Sequence, residues 1–162
     1  MEHYLKCEFN LFIYGVGSKL EVLRRFSSQY FIEKSQIWSA LHTYKGAFTF
    51  KCLIKSLQKY VFEIILKKQG TMKKNMGIND AFDWIKTNLL KYERDMDGKP
   101  TICYLIVHSM DMGVLKQAEW MDFMAELCTL KCLRFIFTMD HCKSSSVLWT
   151  EHGLDKFNFV AM

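Results

Sequence analysis

Hydrophobic residues fall into short compact runs separated by longer segments of helical spacing. Apolar positions from Phe50 to Ile65 recur every three to four residues, which is typical of a helix with one buried face. The compact runs predict strands at 9–14, 36–41, 101–107, 131–138 and 157–161. Strands that are apolar throughout, with helices between them, indicate a sheet covered on both faces. The pattern therefore predicts an α/β fold: a doubly wound, mainly parallel sheet of about five strands.

Two helix starts carry capping signals. Ser18 and Glu21 have the spacing of a capping box ahead of an apolar stripe. Asn79 is placed to cap a later helix whose apolar face begins at Phe82. We expect helices to begin directly after these two caps.

The chain has 162 residues, no repeat and no linker, so a single domain over residues 1–162 is expected. Half of the residues are hydrophobic, which excludes a chain that is mainly disordered. The longest apolar runs are too short to cross a bilayer, and the start does not resemble a secretory signal, so we expect a soluble intracellular domain without a membrane partner. The six cysteines, set in apolar surroundings, are then reduced thiols.

The turn after the first strand is where nucleotide-binding α/β domains hold phosphate. It spans Gly15 to Leu20 and reads Gly-Val-Gly-Ser-Lys-Leu. It is shorter than a P-loop, and Leu20 stands where a P-loop places the hydroxyl that binds magnesium. Leu20 also replaces the third glycine of the dinucleotide fingerprint. The pattern favours a tight turn without a bound cofactor.

No catalytic or metal-binding set stands out elsewhere. The third strand ends at His108 and Ser109 rather than in the acidic residues that hold magnesium in P-loop ATPases, and a structural role for His108 is favoured over a general base. A cysteine and histidine group lacks the C-x-x-C spacing of a zinc site, so no metal is expected. That group consists of Cys128, Cys132, His141 and Cys142.

Positive charge is concentrated in one part of the chain. The formal net charge is +5, and Lys51, Lys55 and Lys59 follow each other at four-residue steps on the polar face of the clearest helix. A solvated helix face is the simpler interpretation. Contact with a phosphate backbone is the alternative, because it needs clustered positive charge and no base-reading residues.

A family resemblance is carried first by the segment from Phe9 to Lys19, followed by Leu23 and Phe26. This segment resembles FNLLxYGxGSK…LLxxF in subunit 2 of the origin recognition complex. The likeness continues in the same order over most of the chain, through segments 83–85, 104–111, 136–141, 148–149 and 157–158.

The resemblance implies a RecA/AAA+-like core whose nucleotide site has degenerated, hence no enzyme. It implies a non-catalytic scaffold and DNA-clamp subunit that works in the nucleus during replication initiation, helping to bind origins and to load the replicative helicase. The partners would be the other subunits of the complex, especially subunit 3, and double-stranded DNA. The family's long N-terminal extension and C-terminal winged helix are not spanned, which is expected of either a fragment or a reduced protein.

The resemblance also points to DNA-contact residues. In this family the loop after the second strand faces the central channel, which corresponds to residues 43–51 here. The candidates are Tyr44, Lys45 and Lys51, with Lys73 and Lys74 next in line.

Two other functions stay open on the sequence. One is a small α/β nucleotide-binding protein that uses the Gly15-Val16-Gly17 turn in an unorthodox way. The other is an interaction module whose basic face only keeps it soluble.

Overall fold

A five-stranded sheet forms the centre of the fold. The computed structural model describes residues 1–33, 37–42, 49–65, 76–95, 101–110, 118–140 and 157–162. The strands are β1 (Asn10–Tyr14), β2 (Ile37–His42), β3 (Cys103–His108), β4 (Leu133–Met139) and β5 (Phe159–Ala161). Their order is β2-β3-β4-β1-β5, and every neighbouring pair is parallel. The predicted doubly wound parallel sheet is confirmed.

Five α-helices lie in the described part of the chain. They are α1 (Glu2–Lys6), α2 (Leu20–Phe26), α3 (Phe50–Tyr60), α4 (Ile78–Asp95) and α5 (Ala118–Cys128). α2 and α3 each continue into a short π-helical segment, Ser27–Ile32 and Val61–Ile65. The sequence pattern did not predict α1, because it is short and buries only one side chain, Leu5. None of the described helices is both long and apolar enough to cross a membrane.

The helices cover both faces of the sheet because successive strand side chains point to opposite sides. On one face, Phe12 and Leu105 pack in a core that includes the α4 residue Ile85. On the other face, Leu11 and Ile106 pack with Leu23 of α2. Burying each such side chain stabilises the fold by roughly 1.5–3 kcal/mol, so both helical layers are held mainly by apolar contact.

Burial is deepest in the middle of the sheet. Every residue of β3 and β4 is buried, whereas the edge strands β2 and β5 are mostly half-buried. Polar groups at the ends of the central strands must therefore find partners inside the protein.

The two predicted capping residues are wrong. α2 begins at Leu20, and the Ser18 hydroxyl accepts a hydrogen bond from the Leu20 amide at 3.3 Å rather than from Glu21. α4 begins at Ile78, so Asn79 lies inside its first turn. The Gly77 carbonyl accepts the bond from the Ala81 amide at 3.0 Å, so this helix starts without a side-chain cap from Asn79.

Candidate functional site

The turn between β1 and α2 is built on two glycines. Gly15 has φ +134° and Gly17 has φ +90°, a region that residues with a Cβ rarely adopt. Val16, between them, is 88% exposed. The turn therefore needs glycine for its backbone path, as the sequence predicted for a tight turn.

Lys19 closes this turn from within. Its ammonium donates to the Gly15 carbonyl, to the Gly17 carbonyl at 2.5 Å and to the Met139 carbonyl at 2.9 Å, and lies 3.4 Å from a carboxylate oxygen of Asp140. The side chain is only 11% exposed. An ammonium has three hydrogens to donate, and these acceptors use all of them. No donor is left for a phosphate.

Asp140 connects the turn to the neighbouring strand ends. It follows β4, and its second carboxylate oxygen accepts a hydrogen bond from the Ser109 hydroxyl at 2.7 Å. Ser109 follows β3 in a left-handed conformation with φ +54°, and its amide donates to the Thr138 hydroxyl at 2.9 Å. Lys19, Asp140 and Ser109 thus join the ends of three adjacent strands, β1, β4 and β3.

Two histidines extend this polar row to the edge strand. His108 ends β3 and His42 ends β2, and their rings stack with centroids 4.9 Å apart and planes 4° apart. Burial lowers the pKa of His108 to about 4, with a further lowering from His42 and an opposing effect of Asp140. His108 is therefore neutral near pH 7 and a weak base, which agrees with the structural role favoured from the sequence.

A cleft of about 270 Å³ opens above this row. It is lined by Ser18, Lys19, Leu20, His108, Ser109, Thr138 and Asp140. In open α/β sheets this position, outside the carboxyl ends of the strands, is where ligands bind. Here the lysine is occupied, Asp140 would repel a phosphate, and Leu20 offers no oxygen to magnesium. The geometry cross-links strand ends and is poorly suited to hold a nucleotide.

The cysteines do not form a reactive or metal-binding group within the described residues, where no three His, Cys, Asp or Glu side chains converge. Burial raises the pKa of Cys103 and Cys132 to about 12, and that of Cys128 well above its usual value. They are thiols packed in the core at neutral pH. His141 and Cys142 lie outside the described residues.

The proposed DNA-contact residues are only partly placed. Lys51 is exposed in the first turn of α3, which is capped by Thr49 through its hydroxyl and the Cys52 amide. Tyr44, Lys45, Lys73 and Lys74 lie outside the described residues.

Sequence reasoning missed the part that Asp140 plays. It is the first acidic residue after a fully buried strand, at the edge where carboxyl ends of parallel strands meet. That position was the available signal.

Comparison with protein families and curated proteins gives a consistent result. The model of the origin recognition complex subunit 2 RecA-like domain matches residues 1–162. Human origin recognition complex subunit 2 is 24% identical over 152 residues, which is 94% of this chain and 24% of the human protein. The subunit 2 of indica rice is 23% identical over 150 residues, 90% of this chain and 38% of the rice protein. The chain thus spans well under half the length of these relatives.

Solved structures show the same fold. A chain in the structure of Drosophila ORC bound to AT-rich DNA and Cdc6 superimposes with a TM-score of 0.75 at 23% identity, over 99% of this chain and 50% of that one. A chain in the structure of Drosophila ORC bound to DNA gives 0.72 at 22% identity, over 96% and 79%. Since the family model covers every residue, the chain belongs to the origin recognition complex subunit 2 family, of which it carries the RecA-like domain.

Proposed function

We propose that this domain serves as a non-catalytic scaffold in an origin recognition complex, within DNA replication initiation. The observation that carries the proposal is the internal use of Lys19, whose ammonium is held by three backbone carbonyls and Asp140. A residue that would bind phosphate in an active site is instead a strut between β1 and β4. With its lysine occupied and Leu20 in place of the magnesium-binding hydroxyl, the domain contributes shape and surface rather than ATP hydrolysis.

The partners we propose are the other subunits of the complex, subunit 3 in particular, and double-stranded DNA in the nucleus. Support comes from the family and from the similar structures, which are of Drosophila ORC bound to DNA, with or without Cdc6. In this role the domain would act within a DNA clamp that marks origins and loads the replicative helicase. Because the chain spans about a quarter of its human relative, these partners belong to the proposal.

The DNA contact we propose runs through residues 43–51, with Tyr44, Lys45 and Lys51 as contacts and Lys73 and Lys74 as the next candidates. Lys51 supports it by its exposure at the start of α3. Lysine meets phosphates as a point charge and lacks the fork of arginine, so little base discrimination is expected. Two such contacts alone give weak binding, and stable binding requires the assembled complex.

The test is a salt titration of duplex DNA bound to the reconstituted complex, comparing Lys45→Ala/Lys51→Ala with the wild type. Loss of two phosphate contacts should reduce the slope of log K against log salt by about 2. Lys59→Ala/Lys91→Ala removes the same charge from exposed helix positions and should leave the slope unchanged. Equal slopes in the wild type and the first variant would move the contact elsewhere, with Lys73 and Lys74 tested next.

A nucleotide-binding protein remains the second candidate because the cleft of about 270 Å³ lies directly over the glycine turn. It would require Lys19 to leave its four acceptors before it could meet a phosphate. Thermal unfolding in the presence and absence of nucleotide distinguishes the two functions.

A further inference from the structure

A second cleft lies between α3 and the start of α4. Its volume is about 440 Å³. It is lined by Lys51, Ile54, Lys55, Gln58, Met76, Gly77, Ile78 and Ala81. The α3 residues repeat at positions i, i+3, i+4 and i+7, so they form one stripe along the helix. The cleft is therefore a groove that follows α3 for about two turns.

The floor of this groove is apolar. Ile54 and Ala81 are buried in it, while Ile78 at its margin remains 43% exposed. Met76 adds a flexible thioether of the kind that adapts to different apolar partners. A surface with this composition gains free energy when an apolar side chain covers it.

The α3 side of the groove carries positive charge, whereas the Asp80 carboxylate lies beside Gly77 on the α4 side. Lys51 and Lys55 are exposed, and neither has an acidic partner among the residues that the structure describes. Lys59, the next lysine on α3, lies outside the groove and is 3.9 Å from Glu63. The two groove lysines are thus the ones available to a carboxylate from another molecule.

Gln58 adds a polar group that is almost buried. The residue is 7% exposed and lines the groove. In the described part of the chain its amide nitrogen meets the Met76 sulfur at 3.3 Å, and a thioether is a weak acceptor. A peptide carbonyl would be a stronger acceptor, and the side-chain oxygen of Gln58 could take a peptide N–H in return.

From these features we infer that the groove between α3 and α4 binds a short acidic segment of a partner protein, with an apolar side chain on the floor. Carboxylates on either side of that apolar residue pair with Lys51 and Lys55, and Gln58 bonds the peptide backbone. Charge complementarity selects the acidic residues, and the groove volume accommodates a few side chains rather than a folded surface.

The apolar floor separates this occupant from DNA. Phosphate contacts need positive charge alone, and an isoleucine and methionine surface would stay uncovered beneath a nucleic-acid backbone. Since Lys51 is also a proposed DNA contact, DNA and peptide would compete for that lysine.

The experiment selects short random peptides, displayed on phage, against the immobilised 162-residue chain. Enriched peptides are labelled and their affinities measured by fluorescence anisotropy. Lys51→Gln/Lys55→Gln is compared with Lys59→Gln/Lys91→Gln, which removes the same charge outside the groove. Gln58→Leu and Ile78→Ser probe the amide and the floor, and thermal unfolding of every variant checks that it is folded.

We expect enriched peptides to combine carboxylates with an apolar residue, and the groove double variant to bind them about tenfold more weakly. The control double variant should stay within about twofold, and Gln58→Leu and Ile78→Ser should each weaken binding severalfold. Failure to enrich any peptide, enrichment of peptides without acidic residues, or equal losses in the two double variants would overturn the inference. Duplex DNA that binds with the same sensitivity to Ile78→Ser would overturn it as well, by making the groove a nucleic-acid site.

Discussion

The two ends of the parallel sheet are both cross-linked by polar side chains, and they use different chemistry. At the amino end, Asn10 is fully buried and bonds three backbone groups. At the carboxyl end, Lys19 and Asp140 form an ion pair beside an open cleft. The Asn10 cross-link is neutral and closed to solvent, whereas the Lys19–Asp140 cross-link is charged and partly open.

The amino end illustrates how a buried amide replaces backbone pairing. The Asn10 side chain donates to the Phe157 carbonyl at 2.6 Å and to the Cys128 carbonyl at 3.5 Å. Its oxygen accepts from the Phe135 amide at 2.8 Å. One residue at the start of β1 therefore links the end of α5, the beginning of β4 and the segment that leads into β5.

At the carboxyl end, the Lys19 ammonium, which could meet a ligand, instead bonds groups of the protein. In open α/β sheets this edge normally presents free N–H groups and side chains to a ligand. Here Lys19 is consumed by carbonyls of the turn and of β4. The carboxyl edge, where ligands usually bind, is therefore cross-linked by side chains as the amino edge is. It still has an open cleft.

The largest effect is expected for Asn10→Ala. Removing the amide leaves the Phe135 N–H and the Phe157 carbonyl buried without their partner, which should lower the free energy of unfolding by about 3 kcal/mol. Asn88→Ala is the matched control, because within the described residues Asn88 bonds only the Trp84 carbonyl one turn earlier on α4, and alanine favours the helix. Urea unfolding of both variants measures the difference. A cost below about 1 kcal/mol for Asn10→Ala would show that the amino end does not depend on this amide.

A smaller but clear loss is expected for Lys19→Met. The apolar chain is retained while the carbonyls of Gly15, Gly17 and Met139 lose a charged donor, at a cost of about 2–3 kcal/mol. Lys55→Met, at an exposed position of α3, should change stability by no more than about 0.5 kcal/mol. Chemical denaturation compares the two. If Lys19→Met and Lys55→Met have equal free energies of unfolding, the Lys19 ammonium does not stabilise the turn.

The buried histidine His108, stacked on His42, should make the free energy of unfolding depend on pH. The pKa of His108 is lowered to about 4 in the folded chain, so its unfolded form, near 6.5, binds the proton first. The contribution of neutral His108 to the free energy of unfolding is therefore fully present above about pH 6.5. It decreases as the pH falls toward 4, and about 2 kcal/mol of it is lost at pH 4.5.

His108→Gln should remove that part of the loss, measured as urea midpoints from pH 7.5 to 4.5. His3→Gln, at an exposed position on α1, controls for the loss of one histidine. If wild type and His108→Gln decline in parallel, the burial of a neutral His108 is not what sets the pH dependence.

Sequence patterns predict the sheet better than its cross-links. All five strands follow from runs of apolar residues, because burial on both faces demands such runs, and the buried stripe of α3 follows from its helical spacing. Asn10 could have been singled out as a polar residue inside an apolar strand, which must find a partner when buried. The groups that Asn10 bonds could not be predicted, because they lie more than a hundred residues away along the chain.

In the candidate site, too, some features could be predicted from local sequence and others depend on the fold. Leu20 in place of a magnesium-binding hydroxyl predicts the loss of nucleotide chemistry from local sequence alone. That Lys19 turns inward to the Met139 carbonyl depends on β4 lying next to β1, which only the fold determines.

The central claim, that Lys19 is a structural strut and not a phosphate ligand, is tested most directly by thermal unfolding of wild type and Lys19→Met with and without magnesium-ATP. We expect no shift of the wild-type Tm on adding nucleotide, and the same lowering of Tm by Lys19→Met in both conditions. A nucleotide site filled at a hundred times its Kd would stabilise the chain by about 2.7 kcal/mol. If nucleotide raises the Tm of the wild type by the amount that this free energy corresponds to, and does not raise the Tm of Lys19→Met, the account is contradicted.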